Sequence, residues 1–131
     1  MFNKLFPKVT EIKGGANSVT TPEFSMAENG AVVFLIGASE TPLTVTAKGY
    51  KGDEGKAIQF NTKSLTEVKW TEVEADGLEL ETTPAFLVGI PHDFLAHDEF
   101  DRVTLTIDGD TDGKTIYAFE VGARYIPHEQ G

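Results

Sequence analysis

Short runs of this chain alternate apolar and polar residues strictly by twos, a pattern that suits a half-buried β-strand and little else. Leu43, Val45 and Ala47 are separated by Thr44 and Thr46, and Val103, Leu105 and Ile107 by Thr104 and Thr106. Successive side chains of a strand point to opposite faces, so a period of two sends one set into a core and the other into water. Gly/Asp turns cut the runs apart. The expectation is an all-β protein, an antiparallel β-sandwich or partly closed barrel of about eight to ten strands with an extended N-terminal arm.

Length and charge set the frame for function. The 131 residues, 40% of them hydrophobic, suit one domain that buries roughly two-thirds of its unfolded surface. Residues 1–15 read as an arm and hinge, and residues 16–131 as a single β domain. The absence of cysteine excludes a disulfide framework and a thiolate metal centre. Met1 to Lys8 has the charge of a signal peptide without its apolar run. No stretch nears the ~20 apolar residues of a membrane-spanning helix, so a soluble protein made in the cytoplasm, with no membrane partner, is expected.

The net charge is −10, from 21 acidic and 11 basic residues. Residues 1–13 nevertheless carry Lys4, Lys8 and Lys13 against Glu11 alone. An acidic body repels phosphate backbones, which argues against nucleic acid as a partner. The contrast suggests a protein that docks by its arm and turns its body outward. Phe2, Lys4, Leu5, Phe6 and Lys8 are the candidate contacts with a partner or a neighbouring subunit, and Gly14-Gly15 is the expected hinge.

Along the rest of the chain, Val19 to Met26 reads as an edge strand, since Pro22 cannot donate to a ladder. Ala31 to Ile36 is continuously apolar, as in a central strand buried on both faces. Leu43 to Tyr50 is a strand, Lys51 to Lys56 a polar loop, and Glu67 to Val73 a strand around Trp70. Asp76-Gly77 signals a hairpin into Leu78 to Leu80. Pro84 opens the apolar run Ala85 to Ile90, and Pro91 to Leu95 suits one helical turn. Arg102 to Asp108 and Thr115 to Ile126 are expected to pair as a hairpin, with Tyr117, Phe119, Val121, Ala123 and Tyr125 on one face.

The chain gives catalysis few footholds. Asp108, Asp110 and Asp112 with Gly113 imitate the start of a calcium loop, but Phe119 stands where the bidentate glutamate belongs and strands flank the loop. They read as turn residues, and no metal or cofactor is expected. His92-Asp93 and His97-Asp98 lack an identifiable third ligand, and His128 lies near the end of the sequence. Ser18, Ser25, Ser39 and Ser64 sit in no nucleophile elbow. The glycines at 49, 52 and 55 lack the helix that a phosphate cradle needs. A non-enzymatic role follows as the expectation. The alternative is a carbohydrate-binding β-sandwich module, in which Trp70 with Tyr50, Tyr117 and Tyr125 would form a stacking platform.

The arm Phe2 to Lys13, the run VVFLIGASETPLTVTAKGY, the segment PHDFLAHDEFDRVTLTID and the ending GARYIP together resemble the decoration, or cement, proteins of tailed bacteriophage capsids and related head-associated proteins. The resemblance implies a virion protein on the capsid exterior that binds the major capsid protein and braces the lattice. It also implies self-association, most often as a homotrimer. Attachment at a phage neck or tail is the variant of that reading.

Overall fold

A computed structural model of the chain describes residues 8–26, 29–91 and 100–122. These residues form twelve strands and no helix: β1 (Lys8–Lys13), β2 (Ser18–Thr20), β3 (Phe24–Ser25), β4 (Asn29–Ile36), β5 (Leu43–Lys51), β6 (Glu54–Ile58), β7 (Phe60–Ser64), β8 (Thr71–Val73), β9 (Leu78–Leu80), β10 (Phe86–Pro91), β11 (Arg102–Asp108) and β12 (Thr115–Gly122). Two antiparallel sheets of six strands pack face to face as an open β-sandwich. The first has the order β1-β12-β4-β10-β7-β8. The second runs β2-β11-β5-β6, with β3 beside β11 and β9 beside β5.

The inner faces are the alternating sets expected from the sequence. Val32, Phe34 and Ile36 of β4 and Phe86, Val88 and Ile90 of β10 meet Leu43, Val45 and Ala47 of β5 and Val103, Leu105 and Ile107 of β11. Phe24 closes one side with its ring edge-on to Phe34, centroids 5.7 Å apart. Each fully buried side chain of this size contributes about 1.5–3 kcal/mol, so the sandwich stands on this double layer.

Several local expectations are revised. Val19 to Met26 is two short strands, because Thr21-Pro22-Glu23 interrupts the edge. The Thr21 N–H donates to the Leu105 carbonyl at 2.9 Å, and the Leu105 N–H donates to Thr21 Oγ1 at 3.0 Å. A buried hydroxyl there takes the place of a ladder carbonyl. The polar loop Lys51 to Lys56 is a tight hairpin: Lys51 faces Glu54, and Gly52, at φ +64°, supplies the positive dihedral of a two-residue turn. The turn falls at Leu65-Thr66, Glu67 to Trp70 is irregular, and the strand starts only at Thr71.

Two expected hairpins prove to be sheet crossings. β8 belongs to the first sheet and β9 to the second, so the Asp76-Gly77 turn carries the chain across the core. Likewise β11 lies in the second sheet and β12 in the first. Their apolar faces oppose each other through the sandwich instead of lying side by side. Pro91 closes β10; the remainder of the expected helical turn, and the chain after Gly122, lie outside the described residues.

Gly14-Gly15, expected to be a hinge, is a hydrogen-bonded corner. Gly14 N–H donates to the Lys114 carbonyl at 2.9 Å, Gly15 N–H to Thr111 Oγ1 at 3.0 Å, and Thr111 N–H to the Gly15 carbonyl at 2.8 Å. A side chain at Gly14 would place its Cβ 2.0 Å from the Thr111 carbonyl oxygen. Here glycine serves close approach between backbones. β1 is therefore an edge strand of the sandwich, paired to β12 from Lys8↔Glu120 to Lys13↔Thr115.

Candidate docking face

β4 departs from its expected burial in an informative way. It is internal to its sheet, and its inner residues are fully buried, but Ala31, Val33 and Leu35 point away from the core and stay half-buried. Strand pairing extends them into apolar rows across the outer face of the first sheet. One row runs Val9, Phe119, Val33, Gly89; a second runs Tyr117, Leu35, Leu87; a third runs Val121, Ala31, Pro91. Isolated apolar residues on a surface are ordinary, whereas contiguous ones mark a contact surface.

Trp70 completes this face from β8's side. The turn after β7 is fixed by Ser64 N–H donating to Glu67 Oε1 at 2.8 Å and by Leu65 N–H donating to the Ala85 carbonyl at 3.3 Å. The indole lies over Gly89, where a Cβ would fall 3.2 Å from the ring. Lys63 stands 5.8 Å from the ring centroid, within cation–π reach. The result is a shallow groove of about 240 Å³ lined by Ala31, Val33, Asn61, Trp70, Gly89 and Pro91. Trp70 is 42% exposed and Val9 49%.

The outer face of the second sheet is built otherwise. Thr44, Thr46 and Lys48 of β5 stand beside Thr104, Thr106 and Asp108 of β11, and Thr20 and Thr106 share a hydroxyl hydrogen bond of 3.0 Å. At its end Arg102 binds Glu23 at 2.8 Å and Asp101 at 3.1 Å, donates to the Gly52 carbonyl, and lies 5.7 Å from the centroid of Tyr50. The hydrogen bonds to Asp101 and Glu23 hold its pKa above the ordinary arginine value.

Of the arm residues expected to bind a partner, Lys8 is the first residue of β1, with its Nζ 3.9 Å from Glu120. Phe2, Lys4, Leu5 and Phe6 lie outside the described residues, as do His92, His97, His128 and Tyr125. The aromatic platform is not assembled as expected. Tyr50 is in the second sheet, while Tyr117 shares the outer face with Trp70 but sits two strands from Gly89, about 10 Å. Asp110 Oδ1 accepts the Asp112 N–H at 3.0 Å, an aspartate turn. Ser39 is buried and donates to the Thr41 carbonyl at 2.8 Å. Among the described residues no three His, Asp or Glu side chains gather as a metal site.

Sequence reasoning did not single out Val33, Leu35, Leu87, Gly89 and Pro91 as functional. The available signal was in β4 and β12, where both the even and the odd positions are apolar, more than a one-sided strand needs.

No family model matches the chain, and no curated protein matches it in sequence. The fold has a solved counterpart. The crystal structure of the SPBc2 prophage-derived protein YomS matches with a TM-score of 0.56 at 14% identity, over 87% of this chain and 93% of that one. At this identity the likeness establishes the two-sheet architecture, and it extends over nearly the full length of both proteins.

Proposed function

We propose that this protein is a phage structural protein that binds the outer surface of a capsid and stabilises it, acting without catalysis. The observation that carries the proposal is the asymmetry of the sandwich: one outer face is apolar and contiguous, the other is threonine-rich and charged. The likeness to a prophage-derived protein supports the phage setting. In this reading the first sheet and the basic arm contact the major capsid protein or a neighbouring copy, and the acidic body faces solvent. Each subunit contributes a modest apolar footprint. Trimerisation or a repeating lattice multiplies it through avidity.

A second reading, a carbohydrate-binding module, is favoured by one observation, the half-exposed indole of Trp70 beside Asn61 in an apolar groove. A flat ring with a nearby amide suits a sugar face and its hydroxyls.

The deciding experiment mixes purified full-length protein with empty phage heads that lack it and sediments the heads. Co-sedimentation that saturates at a fixed number of copies per head supports the decoration reading. Protein left wholly in the supernatant contradicts it, and retention on immobilised polysaccharide would then favour the second reading. Removal of the arm by starting the chain at Gly14 is a poor control, because it also strips β1 from β12.

A further inference from the structure

β6 is an open edge of the second sheet. It pairs with β5 on one side, and among the described residues no strand pairs with the other. Glu54, Gly55, Lys56 and Ala57 are all exposed. Backbone N–H and C=O groups along such an edge are a template for another strand. The hairpin decides which of them are available. Its two-residue turn makes Lys51 and Glu54 the closing hydrogen-bonded pair, and along an antiparallel ladder hydrogen-bonded and non-hydrogen-bonded pairs alternate. Gly49 with Lys56 and Ala47 with Ile58 therefore bond within the hairpin, and Gly55 and Ala57 turn their N–H and C=O groups outward.

The side chains select the occupant. A lone lysine on an edge strand guards against pairing, but here Glu54 stands two residues before Lys56 on the same face. Antiparallel pairing of β6 with a copy of itself, centred on Gly55, sets each Glu54 opposite the copy's Lys56. Gly55 then faces Gly55, and their outward groups exchange two hydrogen bonds. The ring of Tyr50 lies over Gly55, where a Cβ would fall 2.6 Å from it, so the ring screens the central bonds from water on the outer face. β1, the longer edge of the first sheet, has no such register about its middle. Centring on Thr10 sets Val9 against Glu11, and centring on Glu11 sets that carboxylate against its own copy.

We infer that the protein pairs with a second copy of itself through β6, as an antiparallel two-fold dimer centred on Gly55 that joins two second sheets into one. A self-complementary edge closes at two copies. The axis stands normal to the joined sheet at β6, so both first sheets lie on one side of it and both apolar outer faces turn the same way. The pairing stands on β6 alone. Its consequence for docking, two footholds on one surface, rests on the docking role proposed for the first sheet.

The test uses full-length protein in sedimentation equilibrium, without heads. The native chain is expected to dimerise with a dissociation constant below about 1 mM, the weak range that suits a short interface. Glu54→Lys or Lys56→Glu alone makes the facing charges alike and should raise that constant roughly tenfold. Both side chains are exposed, and far-UV circular dichroism establishes that each variant is folded. Mixed one to one, the two variants again set opposite charges face to face and should form a mixed dimer of native strength. Amide exchange at Gly55 should slow as the native protein is concentrated. A native protein that stays monomeric up to about 1 mM overturns the inference. So do single variants that dimerise like the native chain, a mixture no tighter than its components, or Gly55 exchange independent of concentration. Head binding is read separately: a dimer that heads leave in the supernatant removes the docking role alone, and a monomer that heads retain removes this inference alone.

Discussion

The two outer faces of this sandwich are made by the same rule and come out opposite. On β5, residues 44, 46 and 48 are Thr, Thr and Lys; on β4, residues 31, 33 and 35 are Ala, Val and Leu. Both sets point away from one shared core. The second sheet finishes in hydroxyls and charges, most of them open to water although Thr104 is buried, and the first sheet finishes largely in methyl groups and rings that water cannot satisfy. A protein whose only task was to fold would not need the difference. In the proposed reading, the contrast puts the docking surface on the first sheet.

The largest expected effect fixes what the core contributes, so that the outer face can be judged against it. Phe34 points inward from β4 and is fully buried, so Phe34→Ala should cost about 3–5 kcal/mol in urea unfolding. Its neighbour Leu35, pointing outward between Tyr117 and Leu87, should cost about 1 kcal/mol or less on conversion to Thr, the scale of a cross-strand pair. Equal losses at the two positions would break the comparison, since Leu35 would then be a core residue. Of intermediate size is Thr21→Val, which leaves the Leu105 N–H without its acceptor at the edge of the second sheet. A buried donor so orphaned costs about 1–3 kcal/mol. A loss near zero would show that the hydroxyl is dispensable and that Pro22 alone ends β2.

How much of this was legible beforehand depended on what each pattern encodes. Period two in Leu43 to Ala47 and in Val103 to Ile107 identifies inward residues, because one face of each strand is polar. In β4 and β12 both faces are apolar, and sequence cannot separate a surface buried by its own core from one awaiting a partner. Asp and Gly at 76–77 and 109–113 announce turns correctly. The same dihedral chemistry serves a hairpin and a crossing between sheets, however, and only the long-range pairing of β9 with β5 and of β12 with β4 decides between them. β6 was missed as a strand because its residues from Glu54 to Ala57 are all exposed, so no alternation was there to read. Trp70 was visible as a singular residue. Its packing on Gly89 was not, since that contact reaches from the segment before β8 across β7 to β10.

Matched charge insertions test most directly the proposal that the outer face of the first sheet is the docking surface. Leu35→Glu and Thr46→Glu each place one carboxylate at the middle of an outer face, one on each sheet, in full-length protein whose fold is checked by urea unfolding. Sedimentation with empty phage heads should show Leu35→Glu left in the supernatant and Thr46→Glu bound as well as the native protein. Equal binding by the two variants, or loss confined to Thr46→Glu, would contradict the account.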